Sequence, residues 1–430
     1  MKPILQVALD FIDLPRALKL AGEALEGGAD WIEAGTPLIK SSGLDAVREL
    51  RKKFPGVTLV ADMKTMDVGR IEVESATKAG ADVVVVLGLA SDSTVRECIE
   101  AGRHYGAKIM VDLLEVESLL KRAREVERMG ADYIGVHTSV DEQMEGKVSF
   151  AGVRTIVDKI GIPIAVAGGV NSENAHEAVE AGASIIIVGG AIIKSIDAKK
   201  ATTEIKKAIE KKIKIKSELF KRVSEENIRE MLSRVSSPNV SDAMHRQGEL
   251  EGIRPVCSGL KMIGPAFTVR TYPGDWAKPV EAIDKAEKGQ VIVIDVNGGK
   301  TAIWGELATW SAKTKGLSGV VIDGAARDLD DIVKIDFPIF CRHISSNAGE
   351  PKGFGEIGSE IQCGGQTVRS GDWIIGDDSG VVVVPQEIAQ EIANRALDVK
   401  EQENRIREEI KGGGSLGNVL KLKKWEKVVG

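Results

Sequence analysis

The chain has 430 residues, 43% of them hydrophobic and 28% charged, which excludes disordered, fibrous and membrane-spanning classes and leaves room for at least two hydrophobic cores. A formal net charge of −6 argues against nucleic acid as a partner, and four scattered cysteines (Cys98, Cys257, Cys341, Cys363) with no CxxC pair argue against a disulfide framework or structural zinc. Met1-Lys2-Pro3 leads straight into a strand-like run with no cleavage-site pattern, so a cytoplasmic protein is expected.

From Ile4 to about Lys200 one unit recurs: a β-rich run, a turn, an amphipathic helical stretch and a stop. The predicted strands are Ile4–Asp10, Trp31–Gly35, Thr58–Lys64, Val83–Gly88, Lys108–Leu113, Tyr133–His137, Ile164–Gly168 and Ile185–Gly189. The stops Gly28-Ala29-Asp30, Gly80-Ala81-Asp82, Gly130-Ala131-Asp132 and Gly182-Ala183-Ser184 supply the glycine expected just past a helix. Strands alternating with helices imply parallel βαβ units, and about eight in roughly 200 residues is the count of a TIM (β/α)₈ barrel. A doubly wound open sheet is the alternative. The barrel is assigned to residues 1–203.

The lysine-rich run through Lys206-Lys207, Lys211-Lys212 and Lys221-Arg222 reads as a solvated linker helix over 204–222. Residues 223–410 read as a compact mixed α/β domain, with strands Gly264–Arg270, Val291–Val296, Val320–Asp323 and Val381–Pro385 and a closing helix Glu387–Glu409. Residues 411–430 read as a Gly-rich hinge and a tail carrying Leu420, Leu422 and Trp425 as a docking segment.

Catalytic groups of a TIM barrel sit at the C-terminal ends of its strands, and strand side chains alternate between the interior and the helix layer. Along Thr58–Lys64, Asp62 and Lys64 share one face; other strand ends supply Asp10, Glu33, Asp112 and His137. So many ionisable groups in one barrel are costly unless matched. The cluster suits enediolate formation from a sugar phosphate. Glu33 and Asp62 can hold a hard cation, Mg²⁺ with Mn²⁺ as substitute, against the charge that develops. Histidine is the side chain that takes and returns a proton near neutrality, which makes His137 the acid/base candidate. Phosphate is expected at the last two barrel loops, Ala167-Gly168-Gly169-Val170 and Val188-Gly189-Gly190-Ala191, whose glycines leave backbone amides unobstructed.

These residues carry a resemblance. Ala61-Asp62-Met63-Lys64-Thr65-Met66-Asp67 matches the Asp-x-Lys-x-x-Asp signature of the orotidine-monophosphate-decarboxylase suprafamily, and Glu33-Ala34-Gly35-Thr36-Pro37-Leu38 resembles its sugar-phosphate branch, with similarity over Lys2 to Ile193. The resemblance implies metal ligation by Glu33 and Asp62 and an enediolate-stabilising cation at Lys64. It also implies acid/base chemistry at His137, a substrate-hydroxyl contact at Asp10, and a carboxylate at Asp67 that reaches across a dimer interface. The branch contains 3-hexulose-6-phosphate synthases and 3-keto-L-gulonate-6-phosphate decarboxylases. The decarboxylases carry Glu, Arg, Thr and Arg where Asp112, Val140, Ala167 and Gly190 stand here, so the resemblance favours condensation of ribulose 5-phosphate with formaldehyde, or its reverse. The alternative is the decarboxylase with a non-catalytic, protein-binding second domain.

In the second domain, Trp304-Gly305-Glu306-Leu307-Ala308 and Val321-Ile322-Asp323-Gly324-Ala325-Ala326-Arg327-Asp328 stand out. An Arg-Asp pair after an apolar strand can place a guanidinium for a carboxylate beside a metal-ligating Asp, or be an ordinary ion pair. With Pro238-Asn239-Val240-Ser241-Asp242, Gly264-Pro265-Ala266-Phe267 and Gly376-Asp377-Asp378-Ser379-Gly380-Val381, these segments resemble the regulator-of-ribonuclease-activity-A-like family over Leu219 to about Arg407. That family includes metal-dependent 2-oxo acid aldolases and decarboxylases as well as purely regulatory members. The resemblance implies Arg327 on a substrate carboxylate, Asp328 on the metal and Glu306 near the reacting water. Catalytic members usually have Asp where Glu306 stands, and Asp330-Asp331 departs from the commoner Gly-containing continuation. Relatives of both halves assemble, so a homo-oligomer is expected.

Overall fold

The repeated Gly-Ala-Asp stops build the bottom of the barrel. In the computed structural model, which describes residues 2–146, 150–217 and 227–420, helices Gly69–Ala79 and Leu119–Met129 end on Gly80 and Gly130 at φ +114° and +100°. That left-handed cap is one glycine adopts without Cβ strain. The alanine that follows is buried. The aspartate then clamps the start of the preceding strand: Leu5, Leu59 and Ile109 donate their N–H groups to the carboxylates of Asp30, Asp82 and Asp132 at 2.7, 2.8 and 2.9 Å. Those aspartates' own N–H groups donate back to the carbonyls of Leu5, Leu59 and Ile109. One tripeptide therefore ends a helix, fills a core position and sets the register of the next strand.

Eight parallel strands result: β1 Ile4–Leu9, β2 Trp31–Ala34, β3 Thr58–Thr65, β4 Val83–Leu87, β5 Lys108–Asp112, β6 Tyr133–His137, β7 Ile164–Ala167 and β8 Ile185–Val188. They close, β8 pairing with β1, so the open-sheet alternative is excluded. Alternation decides what goes where. Leu5, Val7 and Leu9 of β1 pack outward into the helix layer, while Val60, Val83, Val85, Met110, Ala165 and Ile185 fill the interior. Trp31 and Tyr133 meet edge to face at 5.6 Å among these interior residues.

The lysine-rich run differs from the expected linker helix. Helix Ala198–Lys211 ends at Lys211, and its Lys206 is buried and paired with Asp30. Amphipathic lysines whose stems cover apolar surface look the same in sequence as solvated ones. Residues 218–226 lie outside the described residues, as do Leu422 and Trp425.

The chain divides into two units, Met1–Arg222 with Glu401–Gly430, and Val223–Lys400. The second is mixed α/β. Its sheet centres on parallel strands Met262–Arg270, Val291–Asp295, Gly319–Ala326 and Ile339–Ile344, bordered by antiparallel strands Trp373–Asp377 and Gly380–Val384 on one side and Arg254–Pro255 on the other. One face buries Met262, Ala266, Val293, Phe340, Ile374 and Val383, and a second apolar cluster includes Ile294, Trp304, Ile322 and Ile332. The segment around Asn239 and the Gly376–Val381 turn prove structural. Asp377 accepts from the N–H and hydroxyl of Ser237 at 2.7 Å each and from Ser379 N–H at 2.9 Å, pinning the start of helix Ser237–Ala243 to the hairpin. Among the described residues no helix is long and apolar enough to cross a membrane.

Candidate active sites

At the C-terminal ends of the barrel strands, Asp10, Glu33, Asp62, Lys64, Asp112, His137, Gly168, Gly169, Gly189 and Gly190 line one cavity of about 550 Å³, a size suited to a small metabolite. Asp67 does not line it; it is exposed and accepts from the Val68 N–H at 2.7 Å. Strict alternation holds as far as Asp62. The β3–β4 register then shifts, and Lys64 takes φ +46°, an uncommon conformation for a side chain-bearing residue. Even so, Lys64 Nζ lies 2.9 Å from Asp62 Oδ2 and 3.6 Å from Asp112 Oδ2.

The electrostatics follow from burial. Glu33, Asp62 and Asp112 are 6%, 7% and 5% exposed. Burial first, then the charges of Asp62 and Asp10, push the Glu33 carboxyl well above the usual carboxylate range. Asp10 keeps solvent exposure at the mouth, yet the protein crowded round its carboxyl, and then the charge of Asp62, raise it as well. Asp112 goes the other way: desolvation opposes its charge, but the His137 contact, Lys64 and the Leu114 N–H at 3.1 Å hold it low. Burial works against the Lys64 ammonium too, and Asp62 and Asp112 together hold it above its ordinary range. An ionised Asp112 accepts from His137 Nδ1 at 3.0 Å, which leaves Nε2 as the imidazole nitrogen available for proton transfer.

Two polar residues in direct contact with the carboxylates were not among the sequence candidates. Gln6 Nε2 donates to Glu33 Oε2 at 2.5 Å, and Thr36 Oγ1 lies 2.7 Å from Asp62 Oδ2 as donor. Gln6 carries a signal, since it is the one polar residue in Ile-Leu-Gln-Val-Ala-Leu. Asp62 Oδ1 is buried and has no hydrogen-bond partner among the described residues. A buried orphan carboxylate oxygen beside a carboxyl whose charge is disfavoured by its neighbours fits a cation site. Two carboxylates leave positions for substrate oxygens; among the described residues no group of three His, Cys, Asp or Glu side chains forms a cage.

Among the glycines of the last loops, Gly168 is required by space. Gly168 has φ +99°, and a Cβ there would lie 2.3 Å from the Thr138 carbonyl. A Cβ on Gly35 would lie 2.2 Å from Asp10 Oδ1, so the Glu33-x-Gly35 spacing lets β1 and β2 bring both acids to the mouth.

In the second unit, strand Ala302–Trp304 pairs in parallel with Gly319–Ala326, Trp304 opposite Ala326, so the residues that follow each strand emerge side by side. Asp328 Oδ2 accepts from the Glu306 N–H at 3.2 Å and lies 3.5 Å from Arg327 Nε. A Cβ on Gly305 would lie 2.4 Å from that oxygen. Asp328 has φ +63°, a conformation that costs free energy unless its surroundings impose it. Arg327 and Asp328 side chains are 45% and 38% exposed, so their pairing adds little stability. Asp330 and Asp331 sit in the first turn of helix Leu329–Ile335, where acids complement the helix dipole.

Comparison with known proteins agrees with this division. Residues 3–205 match the family described as orotidine 5'-phosphate decarboxylase / HUMPS, and residues 237–383 match Aldolase/RraA. A 3-hexulose-6-phosphate synthase of Bacillus subtilis is 37% identical over 48% of this chain and 98% of its own length. One of Mycobacterium gastri is 40% identical over 48% and 99%. A solved 3-hexulose-6-phosphate synthase, 40% identical, covers 48% of this chain and 99% of its own with a TM-score of 0.46.

Proposed function

The chain belongs to the orotidine 5'-phosphate decarboxylase / HUMPS family through its barrel and carries an Aldolase/RraA domain behind it, and from that we propose a lyase whose barrel condenses ribulose 5-phosphate with formaldehyde. The observation that carries the reading is the single cavity in which Lys64 sits between Asp62 and Asp112 while His137 leans on Asp112. His137 Nε2 takes a proton from C1 of ribulose 5-phosphate. The resulting enediolate attacks the formaldehyde carbon, forming the new C–C bond, and the former aldehyde oxygen takes up a proton to give 3-hexulose 6-phosphate. Lys64 places a fixed positive charge beside the reacting oxygens. Asp112 holds the imidazole's tautomer, Asp10 accepts from a substrate hydroxyl, and the Gly168-Gly169 and Gly189-Gly190 loops hold the phosphate. Glu33 and Asp62 would hold a divalent cation, Mg²⁺ or Mn²⁺, which would supply Lewis acidity for the developing negative charge.

The positions that resemblance uses to separate the two branch activities, Asp112, Val140, Ala167 and Gly190, all line the cavity, and none brings an arginine for protonating a decarboxylated enediolate. Met66, Val68 and Ile71 around Asp67 are 52%, 56% and 63% exposed, an apolar surface that supports pairing with a second copy. In the second unit we assign Arg327 to a 2-oxo acid carboxylate, Asp328 to a divalent metal and Glu306 to a water. The test is a coupled assay of the full chain with ribulose 5-phosphate, formaldehyde and Mg²⁺, run beside 3-keto-L-gulonate 6-phosphate. Chelator-sensitive condensation supports the reading; turnover of the second substrate alone overturns it.

A further inference from the structure

We propose that Arg405, some two hundred residues beyond the last barrel strand, is a positioning residue for the sugar-phosphate end of the barrel cavity; this rests on the reading of the barrel just given. Residues Glu401–Gly430 belong to the barrel unit. Arg405, in helix Ala389–Lys411, is only 4% exposed. Its Nη1 donates to the carbonyls of Ser195 and Ile196 at 2.8 and 2.6 Å. Those carbonyls close the segment that starts at Gly189-Gly190 and runs through the short helix Gly190–Ile193.

The guanidinium is itself held. Glu409 Oε1 accepts from Nε at 3.0 Å, and Glu23 Oε2 of helix Leu14–Glu26 lies 3.6 Å from Nη2. Arg16 adds a second cation 3.2 Å from Glu409, so two arginines face two glutamates, with Arg405 the buried member of the set. A planar fork fixed on one side by carboxylates and on the other by two successive carbonyls leaves the loop little freedom. The same segment lines a hollow beside the catalytic cavity. Arg405, Gln402, Val419 and Leu420 line a hollow of about 310 Å³ together with Lys194 and with Asp10, which also lines the catalytic cavity.

The first half of this chain accounts for 98% and 99% of the length of the two synthase relatives, so they hold no counterpart of residues 401–420. In this chain the loop after β8 is braced from a distance. Loosening it should weaken phosphate grip more than it slows chemistry, because the glycine loop and the His137 side are separate parts of the mouth. Misplacement of about 1 Å can cost up to about 10²-fold.

The test compares the full chain with Arg405→Gln and Arg405→Lys, reading KM for each substrate, kcat, thermal melting, and calorimetric binding of inorganic phosphate. We expect Arg405→Gln to raise KM for ribulose 5-phosphate and Kd for phosphate about tenfold, with kcat and formaldehyde KM within about twofold, and Arg405→Lys to recover only part of the loss because an ammonium lacks the planar fork. A folded Arg405→Gln with wild-type phosphate Kd and KM overturns the proposal, as does a loss confined to kcat. Should that variant fail to fold, Glu409→Ala decides: it removes the carboxylate that accepts from Arg405 Nε and faces Arg16 while leaving both main-chain carbonyls in place, and an unchanged phosphate Kd overturns the proposal. Phosphate binding is read without turnover, so failure of the condensation assay in wild type counts against the proposed reaction and leaves this arm intact.

Discussion

Replacing Glu33 by Gln isolates the charge crowding at the barrel mouth. The amide keeps the shape and can still accept from Gln6 Nε2, which donates to Glu33 at 2.5 Å, while its NH₂ can donate to the carboxylates that crowd it. Burial and the charges of Asp62 and Asp10 raise the Glu33 carboxyl well above its ordinary value of 4.5. The sign follows from linkage. Between pH 4.5 and the raised value, the folded protein keeps a proton that the unfolded chain has released. Stability contributed by the neutral acid is therefore full below 4.5 and falls as pH rises through the folded-state value. The proton retained by the folded chain means that Glu33→Gln should stabilise the metal-free protein at neutral pH, on the scale of about 1 kcal/mol typical of single substitutions, and by almost nothing near pH 4.5. At about 2–4 °C per kcal/mol for a domain of this size, melting should rise by a few degrees. The assay is a melting series from pH 4.5 to 8 in chelator, repeated in Mg²⁺, with condensation measured alongside. Mg²⁺ should raise the melting point of wild type and leave the variant, which has lost an anionic ligand and its activity, almost unmoved. A variant that melts below wild type in chelator at neutral pH, or that gains as much from Mg²⁺, would refute the reasoning.

Three further outcomes are expected. His137→Ala should lose about 10²–10⁴-fold in kcat with an unchanged circular-dichroism spectrum, and it should melt lower at pH 7 because buried Asp112 loses the contact that holds its carboxyl low. Asp112→Asn should lower stability at neutral pH, because a carboxyl held below its usual range stabilises above that range and loses the effect on acidification; melting at pH 7 and pH 3 checks it. Asp328→Asn should abolish Mn²⁺-dependent pyruvate release from oxaloacetate while leaving barrel activity intact, and Arg327→Lys should raise KM for the oxo acid because an ammonium lacks the bidentate fork; steady-state kinetics of each reaction in the full chain separates them.

The barrel was legible because its signals are local. Period-two strands, helices ending on Gly-Ala-Asp, and acids at strand ends are each written within about ten residues. The structure makes those stops do three jobs at once, as when Asp82 accepts from Leu59 N–H while its own N–H returns a bond to the Leu59 carbonyl. Alternation along β3 correctly grouped Asp62 with Lys64, although the reason it extends to Lys64 is not alternation. A register shift and a left-handed Lys64 bring the ammonium back to Asp62, and no periodicity encodes a local break in periodicity.

What stayed hidden depends on partners far away in sequence. Lys206 looks like its solvated neighbours until Asp30, 176 residues earlier, is seen beside it. Arg405 sits in a charge-rich helix whose pattern, Glu-Asn-Arg-Ile-Arg-Glu-Glu, is that of an exposed surface; its burial comes from Ser195 and Ile196, 210 and 209 positions away. A long basic side chain leaves no local signature when its acceptors are main-chain carbonyls, since every residue has one. The same limit applies to the second unit. Asp328 and Glu306 were separable from the surrounding acids only by resemblance, and their proximity comes from a parallel pairing of two strands that Glu306 and Asp328 themselves follow. Residues that act through long-range backbone contacts are thus where structure adds to sequence here, and Arg405 is the one whose removal would show it in the KM for ribulose 5-phosphate and the Kd for phosphate.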